Sequence, residues 1–130
     1  MGFSDYWENK VLDYMFGKGS LTPTPIFVGL SSSDPTDDGS ALAEPGGNNY
    51  ARVQTSACNW KVASGGVLTN AGQIVFAMAT GGWGTVTHFA LFDDATGGNM
   101  LAYGPLGESK TIGSGDIARF AAGEMEINLD

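Results

Sequence analysis

The sequence predicts a mainly β protein: an antiparallel β-sandwich, jelly-roll-like, preceded by one short N-terminal amphipathic helix. Three observations lead there. Trp83 to Leu106 reads as two apolar runs joined by the polar, glycine-rich Asp93-Asp94-Ala95-Thr96-Gly97-Gly98-Asn99, which tolerates positive φ and turns the chain back. Short alternating runs punctuated by Gly, Asn, Ser and Asp recur from residue 26 to 129, roughly eight or nine strands in all. The composition, with 20 glycines and 11% aromatic residues, suits short strands and tight turns.

With 130 residues, one domain spanning 1–130 is expected, able to bury roughly two thirds of its surface. Hydrophobic residues make up 42% and charged ones only 15%, too apolar and too uncharged for disorder. The formal charge of −8 argues against nucleic acid, whose phosphates need a basic face, and against anionic lipid. No apolar run is long enough to span a membrane. No basic-then-apolar start marks a signal peptide, so no secretion by such a signal is expected. Cys58 is the single cysteine, so no internal disulfide forms and a small packed thiol is expected.

Taken in order, a helix is expected over 4–17. Asp5 suits an N-cap with Glu8 three residues on, and Gly17 suits its end. Trp7, Val11 and Met15, with Leu12 and Phe16 alongside, form an apolar stripe that either covers the sheet or contacts a partner. Thr22-Pro23-Thr24-Pro25 is extended. Ile26, Val28 and Leu30 alternate as a half-buried strand. The long acidic loop 31–49 carries Asp34, Asp37 and Asp38. It lacks EF-hand spacing, so solvated turns are the main reading and a weak Ca²⁺ site the minor one. A strand over 49–56 holds Tyr50 and Val53 with Arg52 outward, and Cys58 to Ala63 continues it with Trp60 and Val62. Val67-Leu68 is short; Ile74, Phe76 and Met78 alternate. The central strand over 83–92 places Val86, Ala90 and Phe92 on one face and Phe89 and Leu91 on the other. Met100 to Leu106 returns beside it. Ser109 to Ile112, Ile117 to Ala121 and Glu124 to Leu129 complete the set, with Met125, Ile127 and Leu129 inward.

Chemistry-bearing motifs are sparse. His88, the sole histidine, lies mid-strand, and no nucleophile elbow, zinc motif or Cys/His cluster occurs. Asp93 and Asp94 are adjacent in a turn and point apart, unlike a glycosidase pair. No catalytic residue, metal or cofactor is therefore expected. Trp60 and Trp83 are candidates for stacking on sugar rings, with core packing the better reading for at least one of them. Asp34, Asp37, Asp38, Asp93, Asp94 and Asn99 are candidate recognition-loop residues, displayed on a β scaffold.

SDYWENKVLDYMFG, PIFVGLSSSDPTDDG, NNYARV, WGTVTHFALFDDATGGNMLAYGPL and SGDIARFAAGEMEINLD resemble, in that order, a family of small tailed-bacteriophage virion proteins commonly labelled phage tail fibre proteins. The chain departs from the family pattern at Ala77, where proline is expected. The resemblance implies a non-enzymatic structural protein of the virion, either a small tail-fibre adsorption protein or, as the alternative, a capsid decoration protein. It implies synthesis in the bacterial host cytoplasm, other virion proteins as partners and a homo-oligomer, with the stripe Trp7, Val11 and Met15 or the 31–49 loop as the contact. A carbohydrate-binding module recognising a host surface glycan is the reading from another class.

Overall fold

The computed structural model describes residues 2–128. It is mainly β, with antiparallel pairings and one α-helix. In chain order come β1 (Gly2–Phe3), α1 (Asp5–Met15), β2 (Ile26–Ser31), β3 (Val53–Thr55), β4 (Val67–Thr69), β5 (Ile74–Val75), β6 (Gly84–Phe92), β7 (Met100–Ile112), β8 (Arg119–Phe120) and β9 (Glu126–Asn128). A five-stranded sheet runs in the order β1-β7-β6-β2-β3, and two two-stranded ribbons, β4-β9 and β5-β8, face it as the second layer of a sandwich-like fold.

The hairpin of β6 and β7 stands at the middle of the sheet, as its doubly apolar pattern predicts. Val28, Leu30, Phe89, Leu91 and Leu101 meet Ile74, Phe76, Met125 and Ile127 of the second layer in one core cluster. On the other face, Ala90, Phe92, Met100 and Tyr103 form a smaller cluster under Leu42, so part of the long loop after β2 serves as its cover. Val86 belongs with Phe89 and Leu91, not with Ala90 and Phe92 as the alternation predicts. The pairing of β6 with β7 slips between Val86 and His88, and a slipped register breaks the period-two rule that the expectation rests on.

The helix begins one residue earlier than its expected cap. Ser4 is the N-cap, its Oγ accepting from the Trp7 N–H at 3.3 Å, and Asp5 is the first helical residue. Ser4 is also tied to the sheet, its N–H to the Leu101 carbonyl at 2.8 Å and its Oγ to the Met100 carbonyl at 2.5 Å. An isolated helix of 11 residues is marginal in water; these anchors and the Phe3–Trp7 ring contact at 4.5 Å hold it. At the far end Gly17 takes φ 71°. Its N–H reaches the Tyr14 carbonyl at 3.2 Å and that of Lys18 the Asp13 carbonyl at 2.7 Å, a complete Schellman closure.

Several expected strand positions differ. Residues 47–50 form a turn, with Asn48 and Asn49 at positive φ, so the strand expected from 49 shrinks to β3. Ala57–Asn59 is a 3-10 turn, leaving Cys58 exposed and Val62 94% exposed. The Asn59 side chain accepts from the Ser56 N–H at 2.8 Å, and this local capture ends the strand. Met78, expected to follow Ile74 and Phe76 inward, is 52% exposed. Met125 and Ile127 are buried as expected; Leu129 lies outside the described residues.

Candidate functional site

The two loops singled out by sequence are joined through a residue that sequence reasoning turned outward. Arg52 lies flat on the Phe92 ring, its guanidinium carbon 3.4 Å from the ring centroid, and its side chain is only 6% exposed. Its Nη2 pairs with Glu44 Oε1 at 2.6 Å and its Nε donates to Glu44 Oε2 at 3.1 Å. Its Nη1 donates to the carbonyls of Asp94 and Gly97, each at 2.9 Å. Tyr50 Oη donates to the same Glu44 at 2.6 Å and accepts from the Leu30 N–H at 3.0 Å. Burial and this hydrogen bond to a carboxylate push the Tyr50 hydroxyl far up from its ordinary value. The network rests on a backbone without a side chain: a Cβ on Gly29 would meet Phe92 Cε2 and Tyr50 Oη at 2.9 Å. An arginine ringed by carbonyls, a carboxylate and an aromatic face satisfies its planar fork of donors, which is why it turns inward.

The acidic side chains are engaged locally. Asp93 accepts from the N–H and side-chain amide of Asn99, at 2.8 and 2.9 Å, closing the hairpin tip. Burial alone would raise its carboxyl. The Asn99 hydrogen bonds, its own backbone N–H and the Arg52 charge outweigh that and hold it below the usual carboxylate range. The Ser40 N–H, with the Thr36 and Ser40 hydroxyls, holds Asp38 down at about 2. Asp37 accepts from the Tyr103 hydroxyl, and its carbonyl accepts from the Asp5 N–H at 2.9 Å. Asp94 accepts from the Ala95 N–H at 2.7 Å, and Asp34 from the Thr36 N–H at 3.0 Å. His88 contacts Thr87 Oγ1 through Nδ1 at 2.8 Å, with Nε2 4.0 Å from Asp34. Among the described residues no group of three or more His, Cys, Asp or Glu is placed to hold a metal ion.

The lowered Asp93 value carries a pH prediction. Its unfolded carboxyl titrates near ~4 and its folded one lower, so its stabilisation is fully present above the unfolded value and fades as pH falls through the folded one. Amide exchange at Asn99, corrected for intrinsic rates, is expected to accelerate on acidification below that range before the core strands open. Protection of Asn99 that stays equal to that of the core throughout would contradict this.

A cleft of about 1140 Å³ opens between α1 and the second layer, walled by Tyr6, Trp7, Tyr14, Leu21 and Trp60. Trp60 is half-buried, its Nε1 donating to Thr55 Oγ1 at 2.9 Å. Trp83 is 5% exposed, with Nε1 on the Asn48 carbonyl at 2.8 Å. It is a core residue, the reading preferred for at least one of the two, and sugar stacking keeps a structural basis only at Trp60. Of the expected contact stripe, Trp7 and Val11 are half-buried and Met15 is 69% exposed.

A family model described as Podophage GP4 fiber I protein gp80 matches residues 2–128. The chain belongs to this phage fibre protein family. No curated protein matches it. In this fibre protein the match takes in α1, both loops and every strand of the sheet, so the Arg52 network and the cleft lie within the family region. The residues that sequence reasoning missed are Arg52, Glu44 and Tyr50. The available signal was an arginine in the apolar run Tyr50-Ala51-Arg52-Val53 of a chain with only six cationic residues.

Proposed function

We propose that the chain is a non-enzymatic structural component of a podophage tail, carried on the virion as a small fibre and used in adsorption. The match to a phage fibre family over residues 2–128 carries this reading. It is supported by how the loop carboxylates are used. Asp38 and Asp93 are hydrogen-bonded into their own turns and Asp37 is held by the Tyr103 hydroxyl of β7, as in a rigid display surface.

In this reading the loops 31–44 and 93–99 present Asp34, Asp38, Asp94 and the turn backbone to the host surface, with a surface glycan as the expected receptor. The helical end, with Met15 and the flank of Trp7 and Val11, contacts other virion proteins. Weak contacts repeated on one assembly would supply the avidity.

Cryo-electron microscopy of intact virions tests this, the chain being located by α1 and the β6–β7 hairpin. Density at the tail is expected. Density repeated over the icosahedral shell would replace the adsorption role with capsid decoration, and absence from the particle would end both.

A further inference from the structure

The cleft beside α1 is lined from the helix by Tyr6, Lys10 and Tyr14, at i, i+4 and i+8, and from the body of the protein by Trp60 and Gln54. That spacing puts the three helix residues on one side of α1, whereas Val11, Met15 and Phe16 are not part of the cleft wall. The helix thus offers two separate surfaces, and the one turned to the cleft is rich in aromatic rings. Lys10 stands over the Tyr6 ring, its Nζ 5.7 Å from the centroid. Trp60 and the 53% exposed Tyr14 are left as open ring faces. Trp60 is also fixed in orientation, its Nε1 donating to Thr55 Oγ1 at 2.9 Å, and a ring ordered before binding loses little freedom on binding.

The chemistry of the walls selects the ligand. Lys10 and Asp93 are the charged residues of the lining, one of each sign, in a chain of net charge −8. An anionic ligand finds no cationic cluster here and meets a negative surface around it. A wholly apolar ligand would cover the exposed Gln54 amide and the Thr22 and Thr24 hydroxyls, which also line the cleft, and burying such groups unpaired is costly. A neutral sugar satisfies both conditions. The C–H bonds of a pyranose face carry slight positive charge and suit the negative face of an aromatic ring, while its hydroxyls can bond an amide or a threonine. Small-molecule sites commonly enclose roughly 300–1,000 Å³, so about 1140 Å³ has room for a short oligosaccharide. Asp93 lines the cleft and also closes the 93–99 turn, which places the cleft beside one of the display loops.

We propose that this cleft binds a neutral oligosaccharide, with Trp60 and Tyr14 stacking on its rings and Gln54 orienting its hydroxyls. The proposal rests on the adsorption reading and adds where the host glycan is held. The probes are short neutral and acidic oligosaccharides prepared from the surface polysaccharide of the bacterial host, titrated into the isotope-labelled full chain and followed by NMR. The neutral fraction is expected to shift the Trp60 indole signal and the amides of residues 6–14. Tyr14→Ala with Gln54→Ala, both at exposed positions, should leave the circular dichroism spectrum unchanged and weaken binding by about 10-fold or more. Met78→Ala, 52% exposed and outside the cleft, should bind as the parent does. Binding indifferent to the double variant, shifts confined to 31–44 and 93–99, or binding of the acidic fraction alone would overturn the cleft site. Binding of neither fraction would overturn it too, and a chain found at the tail would then keep its fibre role without this ligand. If the cleft binds the neutral fraction but the chain is absent from particles, the fibre reading fails and the sugar site stands.

Discussion

Replacing Arg52 by alanine is expected to lower the unfolding free energy by about 3 kcal/mol and to loosen the 93–99 turn. The side chain is 6% exposed and pairs with a Glu44 that is itself only 20% exposed. Removing one partner of a largely buried pair strands the other charge, typically at a cost of about 3–5 kcal/mol. The exposed fraction of Glu44 places the expectation at the lower end. The Asp94 and Gly97 carbonyls lose their shared donor, and the Phe92 ring loses its cover. For a chain of this size the melting temperature should fall by about 10 °C. Arg52→Lys should recover little, because an ammonium can neither fork onto Glu44 nor stack flat on Phe92. Urea unfolding gives the magnitude, and amide exchange across Ala95–Asn99 gives its location. An alanine variant within about 0.5 kcal/mol of the parent, the range of ordinary surface changes, would mean that the network only decorates the loops.

Asn70→Ala should cost about 2 kcal/mol, through a separate hydrogen-bond network. Asn70 is completely buried. Its Nδ2 donates to the carbonyls of Gly72 and Ala121 at 2.8 and 2.9 Å, and its Oδ1 accepts from the Met125 N–H at 3.0 Å. Truncation removes all three bonds and leaves the buried Met125 N–H without a partner, at a cost of roughly 1–3 kcal/mol, while the Ala121 carbonyl keeps the Glu124 N–H. Since Met125 is itself fully buried just before β9, the β4–β9 ribbon should open first, visible as early amide exchange at Glu126–Asn128. A loss under 1 kcal/mol would show that water or backbone rearrangement replaces the side chain.

These two residues also mark where reading the chain stops working. The helix, its glycine terminus, the central hairpin and the inward set of β2 and β9 follow from local spacing: period 3.6 or 2, and turn residues at the ends. Arg52 was expected outward because a charge inside an alternating strand normally faces water. Its partners on the hairpin tip lie 42 and 45 positions away. Nothing adjacent to Asn70 marks it as buried, and its partners at Ala121 and Met125 are 51 and 55 positions away. The same limit explains Trp83. A tryptophan beside a glycine-rich turn can face a ligand or the core, and the choice belongs to Asn48, whose carbonyl receives its Nε1.

The acidic loops show the division within one segment. Asp38 and Asp93 close their own turns with neighbours two to six positions off, a local arrangement within reach of turn chemistry. That the 31–44 loop lies across the sheet, with Leu42 over Phe92 and Met100 and Asp37 on Tyr103, has no local signature.

By itself the sequence determined the class of fold, the helix with its apolar side, the central hairpin and the resemblance to phage fibre proteins. Periodicity, turn chemistry and motif order are properties of adjacent residues. The tertiary structure alone decided that Arg52 is a buried clamp, that Trp83 is core, that Cys58 is exposed and that the helix end borders a cleft. Each of these depends on which distant groups come within hydrogen-bonding or van der Waals reach, and the competition among such partners is settled only when the whole chain packs.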